Sequence, residues 1–171
     1  AMAERAGVYT PPIVAPVALK DDSMALVYER VDGRSLDGVD AAAITDSVLH
    51  GVWEQVGILR QQRIAHRDLR SANVFLTAVG SPMLIDFGFG EVAATELLLD
   101  QDVAQLVMST AVDVGAERAV DAAVEVLGVE AVSAAAPRMQ PLALAGATQA
   151  ALKRDKQLLG AVHARVVERT E

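Results

Sequence analysis

Asp68, Asn73 and Asp86 are the side chains whose types and spacing best suit them to chemistry. The first two stand five residues apart in His66-Arg67-Asp68-Leu69-Arg70-Ser71-Ala72-Asn73, and the third follows thirteen residues later in Leu84-Ile85-Asp86-Phe87-Gly88. A carboxylate can take the proton of a hydroxyl nucleophile. Carboxylate and amide oxygens are also the hard donors that Mg²⁺ prefers. The 171 residues include no cysteine, which excludes thiolate catalysis, disulfides and Cys-based zinc or iron–sulfur sites. A plainer reading of the same residues stays open, with Asp68 and Asp86 as turn-capping acids and Asn73 as a turn residue.

The elements around these residues can be read from pattern. Asn73-Val74-Phe75-Leu76 and Met83-Leu84-Ile85 are short apolar pieces separated by Ala78-Val79-Gly80-Ser81-Pro82. They predict a β-hairpin with polar groups at its ends, a rigid way to hold a site. Upstream, Ile44, Val48, Val52, Trp53, Val56 and Leu59 predict an amphipathic helix that starts at Asp40 as its cap and ends near Gln62. Tyr9 to Val31 reads as extended, because Pro11, Pro12 and Pro16 disfavour helix. Within it, Met24 to Tyr28 predicts a buried strand between turns at Asp21-Asp22-Ser23 and Asp32-Gly33. Thr95 to Glu171 reads as helical, punctuated by Gly115, Gly128, Pro137, Pro141 and Gly146. Val103, Leu106 and Val107 mark one helix, Val120, Val124 and Leu127 a second, and about Leu142 to Val167 a last one. His50 and His163 read as surface residues and Trp53 as core.

Composition bounds the function. Apolar residues make up 52% and charged residues 22%, a folded rather than disordered balance. The length suits one domain with a small appendage. A net charge of -8 argues against nucleic-acid binding, which needs clustered Lys and Arg. An acidic chain can still take a polyanionic nucleotide when a divalent metal lies between them. No apolar run is long enough to span a bilayer, and Glu4 and Arg5 interrupt any signal peptide. The expected location is the cytoplasm.

The two motif segments fit H-R-D-L-x-x-x-N and D-F-G, in that order and a hairpin apart. Here the chain resembles the kinase-like superfamily, which includes protein kinases and aminoglycoside and lipopolysaccharide kinases. The resemblance covers roughly Tyr9 to Gly115. It implies an α+β, kinase-like fold: a mainly helical C-terminal lobe (34–171) with a catalytic β-hairpin, and a two-strand remnant of the N-terminal lobe with its hinge (1–33). It further implies ATP and Mg²⁺ as cofactors, with Asp68 as the base and Asn73 and Asp86 as metal ligands. Tyr28 would sit at the gatekeeper position, and the backbone of Glu29 and Val31 would meet an adenine edge. His66, Arg67, Gly88 and Asp102 would support the site: His66 by ordering the loop, Gly88 by letting the backbone turn sharply, and Asp102 by tying down the catalytic loop.

Departures from the family's pattern shape the expected function. Before the hinge strand the only glycine is Gly7, so no Gly-rich loop covers the phosphates. Val17-Ala18-Leu19-Lys20 imitates V-A-I-K, but it lies too close to the hinge strand for a helix and a strand to intervene. Lys20 is therefore expected in a turn rather than on a phosphate. About ten residues separate Gly90 from Asp102 and no A-P-E follows, so a small-molecule or lipid hydroxyl fits better than a peptide. The expected function is a Mg-ATP-dependent phosphotransferase domain, weak or inactive in this form. The alternatives are a non-catalytic pseudokinase that binds a partner, and a helical scaffold with decayed motifs. Gly7 to Pro12 taken with Ile64 to Asp68 also resembles a narrower group. This is the kinase-like region preceding a multi-pass membrane domain in actinobacterial proteins related to lysyl-phosphatidylglycerol synthase and lipid flippases. That resemblance implies an adjoining membrane domain beyond Glu171 and a place at the cytoplasmic face of the membrane. An incomplete lobe would also leave an apolar surface through which the chain could dimerise.

Overall fold

The computed structural model describes residues 2–20 and 23–170. Among these residues the structure is α+β, with seven α-helices and three small antiparallel sheets. A short helix α1 (Met2–Arg5) precedes strands β1 (Ile13–Ala18) and β2 (Met24–Tyr28), which pair only with each other. Strand β3 (Gly33–Ser35) then joins β5 (Val74–Thr77) and β6 (Pro82–Leu84) in the order β3-β5-β6. Strands β4 (Ile64–Ala65) and β7 (Glu91–Val92) make the third pair. The helices are α2 (Asp46–Gln61), α3 (Glu96–Val114), α4 (Ala116–Leu127), α5 (Val129–Ala135), α6 (Gly146–Arg154) and α7 (Leu158–Thr170).

The core forms around α3. Leu99, Val103, Leu106, Val107, Met108 and Ala111 are all buried, because α4, α5, α6 and α7 pack around the helix. A helix enclosed by neighbours can be apolar on most of its circumference. The stripe read on α2 is real: Val48, Val52, Trp53, Val56 and Leu59 are buried, with Trp53 fully enclosed. Each such side chain contributes roughly 1.5–3 kcal/mol on burial.

Four local expectations are corrected. Helix α2 starts at Asp46, because the Thr45 hydroxyl accepts the Val48 N–H (3.2 Å) and caps it there. Asp40 instead caps a separate 3-10 turn, accepting the Ala42 N–H at 2.9 Å. Strand β2 is exposed rather than buried, because among the described residues β1 is the only strand that pairs with it; Met24 is 68% exposed. Asp32-Gly33 is the entry to β3 rather than a turn. The backbone of β5 approaches so closely there that a side chain at Gly33 would collide with the Leu76 carbonyl and the Phe75 ring. Finally, the last helix is two helices. The Asp155 carboxylate accepts the N–H groups of Gln157 (3.0 Å) and Leu158 (3.2 Å), and the chain restarts as α7. Asp21 and Asp22, placed in a turn by sequence, lie outside the described residues.

Candidate active site

The β5–β6 hairpin sets the spacing of the candidate residues. Val74 pairs with Leu84, Phe75 with Met83 and Leu76 with Pro82. The ladder continues one step further, with the Ile85 N–H donating to the Asn73 carbonyl at 3.0 Å. Asn73 and Asp86 therefore flank one open end of the hairpin, their backbones fixed by strand pairing. On the outer side, the Leu84 N–H donates to the Tyr9 carbonyl (2.9 Å), and the Tyr9 N–H donates to Gln55 of α2 (2.6 Å).

Asp68 reaches the same end through its loop. The Asn73 amide donates to the Asp68 carbonyl (2.8 Å) and to its carboxylate (2.9 Å), and Arg70 Nε donates to the other carboxylate oxygen (3.1 Å). The amide nitrogen of Asn73 is thereby committed to Asp68, which leaves the amide oxygen free to accept a hydrogen bond or ligate a cation. Asp86 is exposed and adopts left-handed backbone angles (φ 63°, ψ 59°). That conformation is unfavourable for a side-chain-bearing residue and clusters at functional sites. The sharp turn thus falls on Asp86 and not on Gly88, as sequence had suggested. Gly88 matters by proximity, since a Cβ there would stand 3.2 Å from the Asp86 carboxylate.

A second set of contacts holds the loop itself. Strand β4 leads into it and is paired to β7. From α3, the buried Asp102 accepts the backbone N–H groups of His66 (2.6 Å) and Arg67 (2.8 Å). Burial pushes the Asp102 carboxyl up to about 6, against the opposing pull of those two hydrogen bonds. His66 is fully buried, and its Nε2 donates to the Ile85 carbonyl at 2.8 Å, stapling the loop to the end of β6. Its ring lies 4.5 Å from that of Phe87. Burial lowers its pKa, while the nearby Asp68 and Asp86 carboxylates act to raise it. Arg67, at φ 68°, turns outward to Glu91 (3.3 Å).

Tyr28, Glu29 and Val31 meet Asp86 across one cleft of about 240 Å³, with Phe75, Ile85 and Phe87 among its other walls. The Glu29 N–H is taken by the Pro12 carbonyl (2.9 Å). Among the described residues, no hydrogen bond takes the Glu29 carbonyl or the Val31 N–H. The cleft lining contains no lysine or arginine. Lys20 follows β1, where the Leu19 N–H bonds the Ser23 carbonyl (2.8 Å), away from this lining.

Several participants escaped the sequence reading. Arg70 holds Asp68 from two residues on, Phe75 walls the cleft, and Glu91 partners Arg67. His50, read as a surface residue, pairs with Glu125 at 2.7 Å, and His163 bonds the Met139 carbonyl at 2.9 Å. The donor set suits a hard cation: two carboxylates and an amide oxygen, with no soft ligand. Among the described residues, no group of three His, Asp or Glu gathers as a metal site, so Asn73 would have to complete any cation site here.

Comparison with known proteins places these features in a wider setting. Over 88 residues the chain is 31% identical to cysteine-rich receptor-like protein kinase 10 of Oryza sativa subsp. japonica, a stretch that is 44% of this chain and 14% of that protein. Over 64 residues it is 38% identical to serine/threonine-protein kinase TAO3 of Pongo abelii, covering 37% and 7% of the two chains. Over 92 residues it is 29% identical to serine/threonine-protein kinase srb10 of Schizosaccharomyces pombe, covering 48% and 25%. The chain thus spans a quarter or less of the length of these relatives. No family model matches it. These partial likenesses support a kinase-like relationship, and the α+β structure is compatible with a kinase-like C-terminal lobe. They lend nothing to the narrower resemblance to membrane-domain proteins. Among the described residues, no helix is long and apolar enough to cross a membrane.

Proposed function

We propose that this chain forms the C-terminal-lobe part of a kinase-like phosphotransferase that uses Mg-ATP on a small-molecule or lipid hydroxyl. The observation that carries the reading is the shared cleft, in which the hinge residues Tyr28, Glu29 and Val31 face Asp86. Asp68 and Asn73 lie beside that cleft at the open end of the same hairpin. The free Glu29 carbonyl and Val31 N–H have the polarity to meet an adenine edge.

The chain's own residues divide the work. Asp68 accepts the acceptor hydroxyl's proton, held in place by Arg70 and Asn73. Asp102 and His66 fix the loop that carries it. Asn73 and Asp86 would hold Mg²⁺, which when bound neutralises phosphate charge. The oxygen–phosphorus bond to the acceptor forms as the bond to the β-phosphate oxygen breaks, and nucleoside diphosphate leaves with that electron pair.

One observation favours a non-catalytic reading, a pseudokinase module that binds a partner: no cationic side chain lines the cleft to grip a triphosphate. Charge-assisted phosphate contacts are worth roughly 1.5–3 kcal/mol each. Titration calorimetry with ATP, with and without Mg²⁺, separates the readings. The phosphotransferase reading expects weak, Mg²⁺-dependent binding that falls by about tenfold or more in Asp86→Asn. No binding, or binding indifferent to both Mg²⁺ and Asp86, overturns it.

A further inference from the structure

The two edges of the β1–β2 hairpin are built differently. Its register pairs Ala18 with Met24, Val17 with Ala25, Pro16 with Leu26 and Ala15 with Val27. At the turn the Leu19 N–H donates to the Ser23 carbonyl (2.8 Å), and at the far end the Glu29 N–H donates to the Pro12 carbonyl (2.9 Å). Hydrogen-bonded and non-hydrogen-bonded pairs alternate along an antiparallel ladder. Ala25 and Val27 therefore turn their backbone groups to β1, while Met24, Leu26 and Tyr28 turn theirs outward. By the same alternation Pro16 faces the outer edge of β1, where it presents no N–H. A proline there blocks further pairing, so the β1 edge is closed and the β2 edge is open. Among the described residues, no strand pairs with the open edge, and no hydrogen bond takes the outward groups of Met24, Leu26 and Tyr28.

The open edge is also uncharged and apolar. Met24 to Tyr28 carries no ionisable group except the Tyr28 phenol, and Met24, Leu26, Val27 and Tyr28 are all exposed. A two-stranded hairpin standing alone is marginal in water, and further strands stabilise it. The chemistry that fits is an uncharged, extended strand with a free edge of its own, and β2 is such a strand. Antiparallel pairing of two β2 strands about Leu26 sets Leu26 against its own copy and Met24 against Tyr28. The outward N–H and carbonyl groups of these residues then bond each other. Charge selects this arrangement. In the antiparallel register Glu29 falls opposite Ser23, whereas a parallel, in-register pair would stack Glu29 on Glu29 and Arg30 on Arg30.

We infer that β2 is the docking edge for a second copy of this chain, and that two copies join into one four-stranded sheet in the order β1-β2-β2-β1 about a two-fold axis at Leu26. Pro16 stands on both outer edges of that sheet, so the assembly closes at two copies and does not grow into a fibre. The inference stands apart from the proposed reaction, because it uses the edge of the hairpin and none of the groups assigned to metal or proton transfer. In dilute solution the monomer prevails and the hairpin is open.

The test is sedimentation velocity of the full chain, without nucleotide, over a series of protein concentrations. A reversible monomer–dimer equilibrium with no larger species is expected. Leu26→Lys and Leu26→Glu each place like charges face to face across the two-fold axis, and each should weaken the dimer by at least about tenfold. An equimolar mixture of the two variants should restore it, because opposite charges then meet. Leu26 is exposed, so both variants keep the fold. Amide hydrogen exchange of the wild type reads the register without any substitution. The Met24, Leu26 and Tyr28 amides should become protected only as the protein is concentrated, whereas β1 already protects Ala25 and Val27 in dilute solution. A monomer at every concentration overturns the inference and leaves the edge to a different strand. Species larger than a dimer, a dimer indifferent to both variants, a mixture that stays monomeric, or outward amides unprotected at high concentration overturn it as well.

Discussion

The β1–β2 hairpin and the β5–β6 hairpin are both pairs of short antiparallel strands rich in Val, Leu and Met. In the second, Val74, Met83 and Leu84 are buried, because β3 pairs with one edge and α2 packs against it. In the first, Val17, Met24, Leu26 and Val27 all remain exposed. Apolar content therefore does not decide burial here. A hairpin becomes a rigid mount for chemistry only when a third strand and a helix close its faces, and Asn73 and Asp86 stand on the hairpin for which both are present.

Mutations can break or sharpen this contrast. Leu84→Ala should destabilise the protein by about 2–5 kcal/mol in urea unfolding, because it opens a cavity beneath the hairpin. Asp102→Ala should cost about as much, at roughly 1–3 kcal/mol for each of the two backbone N–H groups that it strands at His66 and Arg67. Breaking the partly exposed Arg67–Glu91 pair with Glu91→Gln should change stability by no more than about 1 kcal/mol. Leu26→Ala, on the open hairpin, should move the urea midpoint least, within about 0.5 kcal/mol. A loss at Leu26 as large as that at Leu84 would refute the contrast.

Asp102 also makes a pH prediction. Its folded-state pKa, about 6, lies above its ordinary value of 3.8. Between those values the folded state binds more protons than the unfolded one. Its contribution to stability is therefore present below about pH 4 and is lost as pH rises through about 6. Urea midpoints compared between the wild type and Asp102→Asn across this window should diverge with that sign. Parallel profiles would show that folding leaves the Asp102 pKa unshifted.

What the sequence revealed was local. The β5–β6 hairpin was legible because its strands are close in sequence and Gly80-Ser81-Pro82 marks the turn between them. The stripe on α2 was legible because helical periodicity is local too. Strand β3 was not, since Gly33-Arg34-Ser35 carries no strand pattern and pairs with residues about forty positions away. The exposure of β2 was hidden for a related reason: apolar side chains show what a strand could bury, not whether a neighbour arrives. In the site, the motif spacing pointed to Asp68, Asn73 and Asp86, and the structure brings them to one end of a hairpin. The positions of Arg70 and Glu91 depend on tertiary placement, which spacing does not encode. The break at Asp155 was readable, because an Asp accepting the N–H groups two and three residues after it is a local signal.

The central claim is that Asp68, Asn73 and Asp86 act on a single cation–phosphate group at the open end of the β5–β6 hairpin. Paramagnetic line broadening by substoichiometric Mn²⁺ in the presence of ATP tests it most directly. The account predicts selective broadening of the amide signals of Asp68, Asn73 and Asp86, abolished by Asp86→Asn. Broadening centred elsewhere, or unchanged in Asp86→Asn, would contradict it.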